Sequence, residues 1–266
     1  MAEALRGKRV LLTRPAGQNA DFARRLRAAG AIPVEFPTIR IGPPDDPAPL
    51  DGALANLDAY DWLIFTSANG VEHFWRRLQL AGAGRVKLDR VRIAVVGPAT
   101  AAALMQRKIA VDLIPAEHIA EGLLEAIGDV RGQRVLLPAA DIARPTLAEG
   151  LQAKGAIVDR VVAYQTRPVE EAGDLRAHLG GLDILTFASS SAVRGFAHLL
   201  EGPDPATAIG QAVVACLGPA TARTARELDL PVHVVPETYT IPGLIEAILS
   251  YLEDCRETTH SPAHRR

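Results

Sequence analysis

The stretches VVGPATAAAL (95–104) and CLGPATARTA (216–225) each set Gly-Pro-Ala-Thr between an apolar run and an alanine-rich helical pattern. Gly97 and Gly218 permit a tight turn, and Pro98 and Pro219 preset φ for a helix start. Thr100 and Thr221 then offer a hydroxyl beside backbone N–H groups that a helix leaves unpaired, an arrangement that attracts anions. TRP (13–15), TSAN (66–69) and SSS (189–191) follow other apolar runs in the same way. For any one such loop, plain helix capping is the simpler account. Several of them at one sheet edge point instead to an anionic ligand.

The loops recur because the chain repeats itself. RVLLTRPAGQNADFARRLRAAGAIPVEFPTIR (9–40) resembles RVLLPAADIARPTLAEGLQAKGAIVDRVVAYQT (134–166), and FTSANGVEHF (65–74) resembles FASSSAVRGF (187–196). IAEGLLEAI (119–127) likewise resembles IPGLIEAI (241–248). Val10 pairs with Val135, Phe65 with Phe187, Gly97 with Gly218 and Gly122 with Gly243, in one order and at nearly constant spacing, which marks an internal duplication. In the first repeat the apolar runs predict strands at 10–13, 34–41, 62–66, 93–96 and 112–114. In the second they predict strands at 135–137, 158–165, 184–187, 213–217 and 233–235. Runs this apolar, with helical patterns between them, suit parallel sheets covered on both faces. The fold class is therefore α/β, with two flavodoxin-like, doubly wound parallel-sheet domains whose ligands sit beyond the carboxyl ends of the strands.

Bulk properties narrow the function. A chain of 266 residues, 48% hydrophobic, can bury one large core or two ordinary ones. A net charge of −2 leaves no electrostatic footprint for nucleic acid or an anionic membrane. No apolar run reaches the roughly 18 residues of a membrane span without helix breakers, and the opening residues have no signal-peptide core. Two cysteines, Cys216 and Cys255, and seven scattered histidines show no metal-ligand spacing, and both thiols suit a reducing cytosol. AGAGRV (81–86) follows a helical pattern rather than a strand, so it reads as a helix end and turn, not a nucleotide loop. The tail from about Glu257, and 259–266 in particular, reads as disordered.

Taken in order, VLLTRPAGQ, FTSANGVEHF, VVGPATAAAL, VVAYQT, FASSSAV and LGPATARTA resemble the uroporphyrinogen-III synthase family over about residues 8–250. The resemblance implies a crossed arrangement of the repeats: one discontinuous domain of 1–40 plus 168–258, and an inserted domain of 41–167. The crossovers EFPTIRIGPP (35–44) and VVAYQTRPV (161–169) are extended and proline-terminated, which suits a two-stranded β-ladder hinge. The active site is expected in the cleft between the domains.

The resemblance further implies cyclisation of hydroxymethylbilane, a linear tetrapyrrole, to uroporphyrinogen III with ring D inverted and water lost. No metal and no organic cofactor is implied. Tyr164, aligned with the family's crossover tyrosine, is the candidate general acid, since a phenol of pKa about 10 stays protonated at neutral pH. As an alternative, it is a linker tyrosine packed on the hinge. The substrate's carboxylates imply donors at Ser67, Ala68, Thr100, Ser189, Ser190, Thr221 and Ala222, several through backbone N–H. Arg14 and Arg144 are candidates for charged pairs, or else solvated surface charges. The sequence departs from the family at Ala139 and Ala140, where many members carry an arginine. The implied setting is a cytoplasmic monomer in transient contact with hydroxymethylbilane synthase, without nucleic acid or membrane partners. Two rivals stay open: a non-catalytic bilobed sensor of an anionic small molecule, and a flavin or nucleotide enzyme, for which RPAGQN (14–19) makes a poor phosphate loop.

Overall fold

The computed structural model describes residues 4–82, 88, 90–170, 175–200 and 204–260. In chain order its strands are β1 (Arg9–Leu12), β2 (Ile32–Glu35), β3 (Ile39–Gly42), β4 (Trp62–Phe65), β5 (Arg92–Val95), β6 (Arg134–Ala140), β7 (Ile157–Pro168), β8 (Ile184–Phe187) and β9 (Val213–Cys216). The helices are α1 (Ala20–Ala28), α2 (Ala48–Ala55), α3 (Ala68–Leu80), α4 (Pro98–Met105), α5 (Ala120–Ala126), α6 (Thr146–Ala153), α7 (Leu175–Leu179), α8 (Ser190–Leu199), α9 (Pro205–Ile209), α10 (Pro219–Glu227) and α11 (Ile241–His260). The chain divides into two compact units, one holding the residues up to Arg40 and from Arg167 onward, the other Ile41–Thr166. β3 and β7 carry the chain across that division.

Each unit has its own sheet, in the order β2-β1-β8-β9 and β3-β7-β6-β4-β5. The pairs β1–β2, β1–β8, β8–β9, β4–β5, β4–β6 and β6–β7 all run parallel. Ranked by position along the repeat, the strands of both sheets follow the order 2-1-3-4 of a flavodoxin-like sheet. Alternate residues of each strand enter cores on opposite faces. Leu63, Phe65, Ile93, Val95 and Leu136 fill one side of the Ile41–Thr166 sheet, and Trp62, Ile64, Ala94, Val135 and Leu137 the other. In the other unit Leu11, Leu185 and Phe187 face one core, and Val10, Leu12 and Ile184 its opposite. Burial on both faces is what a near-continuous apolar run requires.

Three expectations need correction, and the pairing of the two crossovers is found as expected. The run 34–41 is not one strand: it breaks at Pro37, which has no N–H, while Phe36 N and Thr38 N on either side donate to Leu12 O and Thr13 O. The fifth strands, 112–114 and 233–235, shrink to single bridges, Ala94 with Leu113 and Ala215 with Val234. Backbone bonds such as Val95 N to Leu113 O and Cys216 N to Val234 O remain, and one side chain completes each edge: Ile93 N donates to the Asp112 carboxylate (2.6 Å) and Val214 N to His233 Nδ1 (2.9 Å). The helix α11 runs to His260, past the point where the disordered tail was expected to begin. The crossover ladder is an edge pair, β3 beside β7, belonging to the five-stranded sheet.

Of AGAGRV, Ala81 caps α3 and Gly82 follows at φ +67°, as a helix end requires, while the rest lies outside the described residues. Two aromatic pairs explain part of the repeated block. Phe65 at the end of β4 meets Phe74 on α3 edge to face at 5.2 Å, and Phe187 on β8 meets Phe196 on α8 at 5.4 Å. These pairs fix how each helix leaves its strand, and so where the intervening serine stands.

Candidate active site

In the Ile41–Thr166 unit the serine of TSAN is a true N-cap. Ser67 has extended backbone, and its Oγ accepts the N–H of Gly70 at 3.0 Å. The same oxygen lies 2.9 Å from the Tyr164 hydroxyl. Tyr164 reaches it because the β6–β7 register shifts: Ala139 pairs with Val162 and Ala140 with Tyr164, leaving Ala163 as the extra residue of a bulge. Both Ala163 and Tyr164 are consequently buried, where strict alternation would bury only one. The Tyr164 carbonyl accepts from Asp141 N, and the Asp141 carboxylate accepts from Thr166 N at 3.1 Å, which locks the strand on both sides of the phenol.

The ring of His73, one turn into α3, stacks on the Tyr164 ring at 5.6 Å and 26°. Burial pushes the phenol's pKa above its ordinary value; the Ser67 bond opposes this and the Asp141 charge adds to it. Burial holds the His73 pKa below its ordinary value, with Glu72 working against that and Arg76 for it. At neutral pH the site therefore holds a protonated phenol against a neutral imidazole.

The neighbouring Gly-Pro-Ala-Thr loop departs from simple capping. Gly97, in extended backbone, is the cap of α4, and no side chain closes it. Thr100 sits a turn inside, 4% exposed, and its hydroxyl bonds to no protein group among the described residues. Arg144 stands exposed in the loop before α6. Ala139 and Ala140 are buried, and Arg160 from β7 reaches the loop that follows them, donating to the carbonyls of Ala140 (3.2 Å) and Ala143 (3.1 Å).

The other unit repeats the plan, with no phenol on its capping serine among the described residues. Ser189 caps α8 and accepts from Ala192 N at 3.2 Å. Ser190 is tied to the adjacent helix α10, its hydroxyl donating to Ala220 O and accepting from Thr224 Oγ1 at 2.9 Å. Thr221 matches Thr100: it is 6% exposed, with no hydroxyl partner among the described residues, behind the uncapped Gly218. Ala222 is a correction. It is 1% exposed and its N–H donates to Gly218 O, so neither side chain nor amide is available to a ligand. Arg14, after β1, is half-buried and makes no salt bridge with a described residue; burial lowers its pKa against the opposing charge of Asp21. A desolvated cation in that position favours an anion. Beside it Asn19 is fully buried, donating to Arg14 O at 3.4 Å, with its Oδ1 unpartnered.

One unit thus joins Tyr164 and Ser67 directly, with Thr100 and Arg144 on neighbouring loops. The second carries Arg14, Ser189, Ser190 and Thr221 at the carboxyl ends of its own strands. His73, Thr224 and Asn19 had no sequence signal, because each acquires its role only through tertiary contact.

Comparison with known proteins places these observations. A family model described as uroporphyrinogen-III synthase HemD matches residues 20–246. The chain is 40% identical to uroporphyrinogen-III synthase of Synechococcus elongatus, covering 97% of this chain and 100% of that protein. It is 32% identical to the porphyrin biosynthesis protein HemD of Ruminiclostridium josui, over 94% of this chain and 49% of that longer protein. A crystal structure of a mutant uroporphyrinogen III synthase from Thermus thermophilus matches with a TM-score of 0.67 at 20% identity, covering 93% of this chain and 100% of that one, a likeness of fold.

Proposed function

The chain belongs to the uroporphyrinogen-III synthase family, and we propose from that premise that it cyclises hydroxymethylbilane to uroporphyrinogen III. The observation that carries the reading is the likeness to the cyanobacterial synthase along 97% of this chain. In the reaction the phenol of Tyr164 gives its proton to the terminal hydroxyl of the substrate. The C–O bond breaks with its electron pair on oxygen, water leaves, and an azafulvenium carbon remains opposite a phenolate. The substituted carbon of ring D attacks that carbon, and the spiro intermediate fragments and recloses with ring D inverted. The proton lost as the last pyrrole regains aromaticity restores the phenol, so the balance is loss of one water.

The substrate's carboxylates are met by strand-end loops and helix starts: the backbone N–H groups of Ser67 and Ala68, with Thr100 and Arg144, in the Ile41–Thr166 unit, and Arg14, Ser189, Ser190 and Thr221 in the other. Helix N-termini and hydroxyls suit carboxylates, and the half-buried Arg14 supplies charge. Holding a flexible chain so that ring D presents its substituted carbon is a task of positioning, which can supply much of a rate enhancement. No helix among the described residues is long and apolar enough to cross a membrane. The protein acts as a cytoplasmic monomer, receiving its unstable substrate in transient contact with hydroxymethylbilane synthase.

The test is isomer analysis. Purified protein given fresh hydroxymethylbilane should yield mainly the type III isomer, against the type I isomer that forms spontaneously. Product that stays type I at stoichiometric protein overturns the assignment and favours an anion sensor.

A further inference from the structure

The contact between Ser67 and Tyr164 has a direction that its atoms dictate. A serine hydroxyl has one proton to give and two lone pairs to receive with. Ser67 spends one lone pair on Gly70 N–H, 3.0 Å away. Its proton and its second lone pair remain for the phenolic oxygen at 2.9 Å. While Tyr164 is protonated, either oxygen can donate. Once the phenol has given its proton away, its oxygen can only accept, and Ser67 becomes the donor. Gly70 N–H, in the first turn of the thirteen-residue α3, polarises that hydroxyl further, so the positive end of the helix is relayed through one serine to the phenolate.

We propose that Ser67 is a positioning residue for the reaction: it aims the Tyr164 hydroxyl and donates to the phenolate that proton transfer leaves behind. This rests on the reading of Tyr164 as the acid. The duplication supplies an internal control. Ser189 caps α8 with the same backbone conformation and the same bond to the third helical residue, yet it meets no phenol among the described residues. Capping accounts for a serine at both positions; the phenol contact belongs to Ser67 alone. The other groups facing the phenol are His73 from α3, its ring stacked and neutral, and the Asp141 carboxylate from the loop after β6, whose charge disfavours a phenolate. Ser67 is the contact that offsets it.

The test reads the phenol rather than the reaction. Protein carrying 3-fluorotyrosine, whose lower intrinsic pKa brings titration into the range where the fold is intact, is followed by fluorine NMR, with Tyr164→Phe assigning the resonance. Ser67→Ala should move the Tyr164 titration upward by about one pH unit, the size expected for losing one hydrogen bond to the charged form. Ser67→Gly, a milder change at a cap, should do the same, Ser67→Thr should restore the wild-type value, and Ser189→Ala should leave it in place. In turnover, Ser67→Gly should lower kcat about tenfold with KM within about twofold. A titration that does not move in Ser67→Gly, or that moves equally in Ser189→Ala, overturns the proposal. Because the titration needs no substrate, failure of the wild-type protein to make the type III isomer would remove the enzymatic reading and leave this result standing.

Discussion

The carboxylate of Asp183 accepts the backbone N–H of Arg9 at 2.8 Å, joining residues 174 positions apart, and also holds the Lys8 ammonium at 2.6 Å. Asp61 does the same for Arg134 N at 2.8 Å. Each repeat therefore supplies the aspartate that pins the first strand of the other, and the crossed order of the chain is written into a pair of hydrogen bonds. Burial of Asp183 disfavours its charge, but Lys8 and the Arg9 N–H outweigh this and hold the carboxyl below its usual range. The stabilisation is thus present above about pH 4 and lost as the pH falls through the lowered folded value. Asp183→Ala should cost about 1–3 kcal/mol at pH 7, and the difference from wild type should shrink in acid. Urea unfolding at both pH values checks this; an equal loss at each would remove the carboxylate as its source.

A fragment of residues 41–167 should fold alone. Both faces of its sheet are covered by helices of the same stretch, with Leu136 and Phe65 in one core and Val135 and Ile64 in the other. A fragment of 1–130 keeps β1 and β2 but lacks β8, to which β1 is bonded, and β9 beyond it. Thermal melting by circular dichroism decides: cooperative unfolding of 1–130, with none for 41–167, would refute the division into domains.

Strands β1, β4, β5, β8 and β9 stand within a residue of where their apolar runs put them, because a doubly covered strand has no reason to interrupt its hydrophobicity. The edge segments were harder. Asp112 and His233 satisfy strand N–H groups with side chains, and no periodicity announces that substitution. The bulge that seats Tyr164 also has no marker, since VVAYQT contains no glycine. Serines and threonines at helix starts were visible as a duplicated pattern. Their differing fates were not: Ser67 and Ser189 cap, Ser190 ties two helices together, and Thr100 and Thr221 do neither.

The repeated glycines Gly122 and Gly243 carry packing rather than chemistry. A Cβ on Gly122 would stand 2.3 Å from Glu117 O, and one on Gly243 2.3 Å from Thr238 O. Helix propensity alone makes alanine better than glycine by about 1 kcal/mol. The backbone clash should win, so that Gly122→Ala and Gly243→Ala each destabilise by about 1–3 kcal/mol. A raised melting temperature in either variant would show that the turn yields more easily than its geometry suggests.

Thr100 and Thr221 cap nothing, so removing their hydroxyls should cost little stability. Thr100→Val and Thr221→Val should stay within about 1 kcal/mol of wild type, the loss expected had either been a cap. If the hydroxyls meet substrate carboxylates, each change should raise KM about tenfold, as for a hydrogen bond to a charged group. Thr→Ser at the same positions should preserve KM. Unchanged KM in both valine variants would return these residues to helix packing.

Tyr164→Phe removes one oxygen from a buried ring and leaves its stacking with His73 in place. The variant should fold, and kcat should fall by about 10²–10⁴, the usual worth of a positioned acid. The pH dependence carries the sharper sign. An acid works while protonated, and burial raises the folded pKa of this phenol above the ordinary value of about 10. Activity owed to the phenol is therefore complete at neutral pH and disappears only as the pH climbs through that raised value. The wild-type kcat profile should show an alkaline limb above pH 10 that Tyr164→Phe lacks. Tyr60, whose pKa is pushed up to about 12 by burial and by its 2.7 Å bond to Asp159, lies in the same unit and loses its own stabilising proton over that range. Kinetics must accordingly be paired with a stability measurement at each pH. A limb that persists in Tyr164→Phe, in protein still folded, would assign it to another group and leave Tyr164 a packing residue.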